Sequence, residues 1–163
     1  MTISAELSVA GFTVVSGLAA GIDTAAHEAA LNNHGRTIAV IGSGLHHAYP
    51  PQNARLQRTI ASRGAVVSQF WPDAAPSRSS FPLRNATTSG LALGTVIVEA
   101  SHTSGTRIQA RRALGHGRPV FLHESLANQQ RWAHELTHAP GVHVFNHAAE
   151  VIDRVTAPGA LTS

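Results

Sequence analysis

The residues with the clearest chemical potential lie in one stretch, 14–23, which has the sequence VVSGLAAGID. An apolar run ends at Ser16, small residues fill the turn between Gly17 and Gly21, and Asp23 follows in the first turn of a predicted helix. A strand that leads into a helix in this way exposes backbone N–H groups at the positive end of the helix dipole, where phosphate is favoured. A tight structural connection without a ligand is the alternative. The residues of this predicted phosphate site are Ser16, Gly17, Ala19, Gly21 and Asp23.

Two further turns combine glycine with hydroxyl-bearing residues and are also predicted to bind phosphate. One follows a second apolar run and contains Gly42, Ser43 and Gly44; the other precedes a predicted helix and contains Ser104, Gly105 and Thr106. Ligands of open parallel sheets bind beyond the carboxyl ends of the strands, so we expect these turns and the loop 71–84 to lie on one edge.

A cation for this edge is available in the loop segment FPLRN, residues 81–85. Arg84 is predicted to bind phosphate, and a solvated loop charge is the alternative. Asn85 and Asn53 could bond bases or ribose, or could hold turns through their side chains.

Four ordered blocks carry a family resemblance. Residues 16–27 (SGLAAGIDTAAH) resemble the S-G-x-A-x-G-I-D-x-x-A-H block of the DNA-processing protein A (Smf) family. Residues 37–44 with the following YPPQN, residues 81–94, and residues 98–106 (VEASHTSGT) resemble its other blocks in the same order. The resemblance spans about residues 11–122, and four ordered blocks are far more specific than one glycine pattern.

The resemblance implies a Rossmann-like domain that binds single-stranded DNA without catalysis and without a cofactor. It also implies a recombinase of the RecA type as partner, and a homodimer. In the family a strand and a Gly-Ser-Arg-type loop precede the first helix and line the phosphate pocket. We therefore expect this chain to be an N-terminally truncated version of that fold.

The second interpretation is a nucleotide-binding sensor or nucleosidase-like protein of the same superfamily. Related cytokinin-activating nucleosidases use a glutamate at a strand end, a position that Glu99 resembles. Their P-G-G-x-G-T-x-x-E motif does not occur here, so hydrolysis is not favoured.

A competing motif is His134-Glu135-Leu136-Thr137-His138, an H-E-x-x-H, with His143 as a possible third ligand. On a helix, this pattern places two imidazoles on one face for zinc and supplies a glutamate base. Pro140 would end the helix at once, and eleven histidines in 163 residues make chance pairs common. A zinc peptidase is therefore disfavoured, and no metal site is predicted.

Composition narrows the class of protein. Hydrophobic residues make up 43%, which favours a globular fold, and all 12 basic residues are arginine, which gives a net charge of +3. Cysteine is absent, so disulfides are excluded. No apolar run approaches a membrane span and the first residues do not resemble a signal peptide, so we expect a cytoplasmic protein with no membrane partner.

Short apolar runs alternate with amphipathic segments along the chain. The predicted strands are 12–16, 37–42, 65–70, 95–100, 119–122 and 142–145. The predicted helices are 2–10, 22–33, 52–62, 87–93, 106–115, 126–138 and 148–155. This alternation predicts an α/β, Rossmann-like, doubly wound fold, with a mainly parallel sheet and helices on both faces. We expect a single domain over residues 1–156 and a tail over 157–163.

Overall fold

The computed structural model describes residues 2–100 and 105–157. The chain forms two compact units, Met1–Thr88 and Ser89–Ser163.

The first unit is a three-stranded parallel sheet with flanking helices. Its strands are β1 (Val14–Ser16), β2 (Thr37–Val40) and β3 (Ala65–Val67), in the order β1-β2-β3. The register pairs Val15 with Ile38 and Ala39 with Val66. Its helical segments are α1 (Ile3–Val9), α2 (Ile22–Asn32), a 3₁₀ turn (Pro51–Asn53), α3 (Ala54–Arg63) and α4 (Ser80–Leu91), the last of which continues past the boundary of the unit.

The core of this unit brings helix and turn side chains onto the sheet. Leu18 and Ile60 are fully buried, and both pack with Leu31, Ala39 and Ile41. Burying such aliphatic side chains is the main favourable contribution to folding. The turn after β1 is therefore anchored in the core through Leu18.

The second unit repeats the arrangement. Its strands are β4 (Thr95–Ile97), β5 (Val120–His123) and β6 (Val142–Phe145), in the order β4-β5-β6 and all parallel. Its helices are α5 (Thr106–Gly115), α6 (Glu124–Gln129), α7 (Arg131–Leu136) and α8 (Ala148–Thr156). Val120 and Leu122 of the central strand pack with Trp132 in its core.

The α/β class with parallel strands and flanking helices is confirmed. The helix over 106–115 and the strand over 142–145 have the predicted bounds, and the other strands are shorter than predicted or shifted by one residue. The helix predicted over 126–138 is instead two helices, α6 and α7, because Gln130 between them is extended. The single domain expected over residues 1–156 stays a prediction.

The largest difference concerns α4, which was predicted to begin at residue 87 and begins at Ser80. Ser77 and Ser80 each accept a hydrogen bond from the other's backbone N–H, at 3.1 and 3.0 Å, and so cap its first turn. Pro82 is tolerated because the first turn of a helix needs no N–H donor there. The segment interpreted as a loop is thus helical, and it carries Arg84.

Within the described ranges, no helix is long and apolar enough to cross a membrane.

Candidate nucleic-acid interface

A cavity of about 370 Å³ opens in the first unit where β1 and β2 end. Such a position, beyond the carboxyl ends of parallel strands, is where ligands of open sheets bind. Backbone and small side chains of the turns form one part of its lining, and two aromatic rings and a guanidinium form another. The lining residues are Gly17, Ala19, Ala20, Gly42, Ser43, Tyr49, Pro50, Gln52, Phe81 and Arg84.

The side chain of Asn53 holds the turn after β1 through hydrogen bonds. The Nδ2 group of Asn53 donates to the carbonyl oxygen of Leu18 at 2.9 Å and to Oγ1 of Thr24 at 2.8 Å. Leu18 has a φ of 60°, a left-handed conformation that is uncommon for a residue with a branched side chain. Asn53 is buried, so of its two possible roles the structure supports that of holding the turn.

The carboxylate of Asp23 accepts hydrogen bonds from two other residues of the predicted phosphate site. Its Oδ1 accepts a hydrogen bond from the Ser16 hydroxyl at 2.7 Å, and its Oδ2 accepts one from the Ala19 N–H at 3.1 Å. Gly21 caps α2 with a φ of 92°, which a residue with a Cβ rarely adopts. Ser16, Gly21 and Asp23 therefore shape the turn, and they do not line the cavity.

Arg84 lies in α4 and is 7% exposed, so it is neither in a loop nor a solvated charge. Its Nη1 donates to the carbonyl oxygen of Val40 at 2.9 Å, and its Nε donates to Oδ1 of Asn85 at 3.0 Å. Burial lowers the pKa of the guanidinium, and the nearby charge of Asp23 opposes this shift. An arginine still remains charged at neutral pH.

Within the described part of the chain, the hydrogen bonds of this guanidinium are confined to Nε and Nη1. No described residue accepts a hydrogen bond from Nη2, and no described carboxylate forms an ion pair with Arg84. Because Arg84 also lines the cavity, it presents a fixed positive charge to a ligand there, with Nη2 donors that no described residue engages.

Two aromatic side chains, Tyr49 and Phe81, form the apolar part of the lining. The rings of Tyr49 and Phe81 have their centroids 5.6 Å apart, at an interplanar angle of 38°. The Phe81 ring packs so closely on Gly42 that a Cβ there would lie 2.7 Å from Cδ1. Ser80 donates its hydroxyl proton to the carbonyl oxygen of Gly42 and fixes the start of α4 at the same place.

His27 lies on α2 and is fully buried. Thr37 Oγ1 donates to the Val14 carbonyl oxygen at 2.9 Å, so Nδ1 of His27, 2.7 Å from Thr37 Oγ1, is the donor in that pair. Nε2 has no hydrogen-bond partner among the residues that the structure describes. Burial lowers the pKa of His27 from 6.5 to about 4; Asp23 opposes the shift and Arg84 adds to it.

The structure brings part of the predicted set together. The members that line the cavity are Gly17, Ala19, Gly42, Ser43 and Arg84. Gly44 and Asn85 lie next to lining residues, in sequence, without being part of the lining. Gly105 and Thr106 begin α5 in the second unit, and Ser104 lies outside the described residues. The assignment of these residues to a ligand stays a prediction.

Five lining residues were not among the predicted site residues: Ala20, Tyr49, Pro50, Gln52 and Phe81. The signal for three of them was present in the Tyr-Pro and Phe-Pro pairs of the resembling blocks. These pairs do not predict an aromatic contact, because a single sequence does not reveal that the rings of Tyr49 and Phe81 meet.

The H-E-x-x-H motif is divided by the end of α7 at Leu136. The rings of His134 and His138 are in edge contact, with centroids 5.7 Å apart, and Glu135 pairs with Arg131 at 2.8 Å. His143 on β6 has its Nδ1 2.9 Å from Nη2 of Arg154. Across 2–100 and 105–157, no group of three or more His, Asp or Glu side chains could hold a metal ion.

Comparisons with known proteins indicate the family of this chain. The model of the family described as DNA recombination-mediator protein A matches residues 1–156. Protein Smf of Synechocystis is 42% identical over 151 residues, which are 92% of this chain and 36% of that protein. DNA processing protein DprA of Streptococcus pneumoniae is 50% identical over 108 residues, which are 66% of this chain and 38% of that protein.

Two solved structures share the fold. DNA processing protein A from Streptococcus pneumoniae has a TM-score of 0.77 at 39% identity, over 91% of this chain and 54% of that one. DNA processing protein A from Helicobacter pylori, described for its single-stranded DNA binding mode, has a TM-score of 0.81 at 28% identity, over 93% and 69%. The Rossmann-like expectation is thereby confirmed, and the chain spans less than two fifths of the length of these two curated relatives.

Proposed function

The chain belongs to the DNA recombination-mediator protein A family, and we propose that the cavity of its first unit binds the sugar-phosphate backbone of single-stranded DNA. The observation that carries this proposal is that the guanidinium of Arg84 is buried and held in place at the cavity. A guanidinium that is 7% exposed, is fixed by two hydrogen bonds and has an Nη2 group that no described residue engages is suited to an anionic ligand at the cavity.

The remaining lining fits a phosphodiester. Ser43 supplies a hydroxyl, and the turn before α2 supplies backbone N–H groups at a helix N-terminus. The carboxylate of Asp23 is the group that opposes an anion here. Both of its oxygens accept hydrogen bonds from groups of the turn, the Ser16 hydroxyl and the Ala19 N–H, and Asp23 does not line the cavity.

The aromatic part of the lining favours a nucleic acid over a free inorganic anion. The Tyr49 and Phe81 rings offer apolar surface beside the guanidinium, and a sugar and base bring apolar surface of their own. The relative from Helicobacter pylori is described for single-stranded DNA binding, which supports the same ligand class here.

Binding without catalysis is the form that we propose. The lining residues, within the described part of the chain, include no carboxylate and no imidazole that could act as a general base on a bound phosphodiester. We further propose that the protein works as a homodimer in the cytoplasm and passes the strand to a recombinase of the RecA type. The family's description as a recombination mediator supports that partner class.

Fluorescence anisotropy with a labelled dT oligonucleotide, over a series of salt concentrations, tests the binding proposal. Arg84→Ala should weaken binding and reduce the slope of log K against log salt by about 0.7, the contribution of one phosphate contact on a single strand. Arg84→Lys should keep the slope and lose part of the affinity, because an ammonium lacks the planar fork. Arg58→Ala, on the exposed side of α3, is the matched control and should change neither quantity.

Circular dichroism and thermal melts should accompany each variant, so that loss of fold is separated from loss of binding. Wild-type protein that fails to bind the oligonucleotide at low salt would overturn the proposal. Equal affinity and slope in wild type and Arg84→Ala would remove Arg84 from the site.

A further inference from the structure

Trp71 is the most exposed large apolar side chain of the described residues, at 86%, whereas Trp132 is 9% exposed. Tryptophan is usually well buried, since its ring contributes more apolar surface than any other side chain. The exposed indole of Trp71 therefore offers a large apolar surface on which a planar group can pack.

The segment that carries Trp71 is fixed by backbone hydrogen bonds. The N–H of Ala74 donates to the Trp71 carbonyl oxygen at 2.9 Å and closes a tight turn. Two bonds then tie this turn to the loop after β2: Gly44 N–H to Ala74 O at 2.7 Å, and His46 N–H to Pro72 O at 3.0 Å. The exposure of the indole is thus a property of an ordered turn.

The same turn lies against the edge of the cavity. A Cβ on Gly44 would lie 2.1 Å from the Trp71 carbonyl oxygen and 2.2 Å from that of Pro72, so the two loops are in direct backbone contact. Ser43, the neighbour of Gly44 in the chain, lines the cavity. The Trp71 backbone is therefore one residue away from the proposed phosphate site.

The acidic group of this turn is held by histidines of the neighbouring loop. Oδ1 of Asp73 is 2.8 Å from Nδ1 of His46, and its carbonyl oxygen is 3.0 Å from Nε2 of His47. The first contact engages the carboxylate of Asp73 and the second engages its backbone, and both add to the hydrogen bonds that order the turn.

We propose that Trp71 is a stacking platform for a base of the strand whose phosphate occupies the cavity; this inference rests on the proposed function. Every base presents a π-face, so an exposed ring beside a phosphate site takes a nucleotide of any sequence. Loss of one such stack lowers affinity by about five- to a hundredfold.

The two tryptophans allow a direct test with the full chain. Trp71→Phe leaves Trp132 as the sole tryptophan. Titration with unlabelled dT oligonucleotide should quench the emission of the wild type and leave that of Trp71→Phe nearly unchanged, while anisotropy shows that Trp71→Phe binds with similar affinity.

Affinity measurements provide a second test of the stacking role of Trp71. Trp71→Ala should bind the dT oligonucleotide about five- to a hundredfold more weakly with an unchanged salt slope, because no charge is removed. Val9→Ala, at another exposed apolar residue of the same unit, should bind as the wild type does. An abasic oligonucleotide of equal length should bind wild type and Trp71→Ala alike.

The outcomes separate this inference from the proposed function. Arg84-dependent binding without quenching, and with full affinity in Trp71→Ala, would overturn the stacking role and leave the phosphate site intact. Dissociation of an oligomer by Trp71→Ala in light scattering, with DNA affinity unchanged, would assign the indole to a protein contact and also overturn it. A wild-type protein that binds no DNA would contradict both the stacking role of Trp71 and the proposed function of the cavity.

Discussion

Gly17 and Arg84 are packed so closely that the glycine has no room for a side chain. A Cβ built on Gly17 would lie 1.6 Å from Nη1 of Arg84 and 2.3 Å from its Cζ. The same Nη1 is bonded to the Val40 carbonyl oxygen, so the guanidinium is held between the turn after β1 and the end of β2. The first glycine of this phosphate-type turn thus leaves the space that the guanidinium of Arg84 occupies.

Gly17→Ala should therefore weaken single-stranded DNA binding nearly as much as Arg84→Ala does. The added methyl group must displace the guanidinium from Val40, which also costs about 1–3 kcal/mol of stability for the lost charged hydrogen bond. Anisotropy and denaturant unfolding measure the two effects. Gly115→Ala is the control, because a Cβ at Gly115 meets nothing within 4 Å.

The double variant Gly17→Ala/Arg84→Ala sharpens this prediction. Removing the guanidinium removes the clash, so the two losses should not add, either in binding or in stability. Additive effects would show that Gly17 acts on the ligand independently of Arg84.

His27 should make stability depend on pH. Its pKa is lowered to about 4 in the fold from 6.5, so between these values the unfolded chain binds a proton that the folded chain does not. The contribution of His27 is fully present above about pH 6.5 and is lost as pH falls toward 4, by at most about 3 kcal/mol.

Urea unfolding at several pH values between 7 and 4 measures this loss. His27→Asn keeps a donor near the position of Nδ1 and removes the titrating ring, so its stability should fall less steeply. His34→Asn, at an exposed histidine, should follow the wild type. Parallel curves for wild type and His27→Asn would contradict the prediction.

Asn53→Ala should destabilise the protein by about 1–3 kcal/mol, because the buried carbonyl oxygen of Leu18 and the hydroxyl of Thr24 lose a donor. Leu18 is held in a left-handed conformation, so loss of its partner should also loosen the turn and weaken DNA binding. Asn32→Ala, at the exposed end of α2, supplies the comparison. Unchanged unfolding of Asn53→Ala would mean that Leu18 alone anchors the turn.

The H-E-x-x-H motif should not confer metal dependence. Glu135 is paired with Arg131, and α7 ends before His138, so the helical face that a zinc peptidase needs is not formed. Elemental analysis should find no stoichiometric zinc, and EDTA should leave the melting temperature unchanged. Tight zinc that is lost in His134→Ala would contradict this expectation.

The sequence by itself determined the local elements and the glycine turn. The alternation of apolar runs with amphipathic segments predicted parallel strands and helices, and the stretch 14–23 predicted a strand, a turn and a helix start, because these depend on residues close together in the chain. The four ordered blocks also indicated the family. These features need no knowledge of which distant residues meet.

The tertiary structure alone decided how the site is assembled. Gly17 meets Arg84, and Asn53 meets Leu18, across 67 and 35 positions of the chain respectively. Arg84 was expected in a loop, and it is a buried helical residue because Ser77 and Ser80 cap α4 early. Close packing and buried hydrogen bonds depend on where folded elements touch, and no local pattern of residues specifies those contacts.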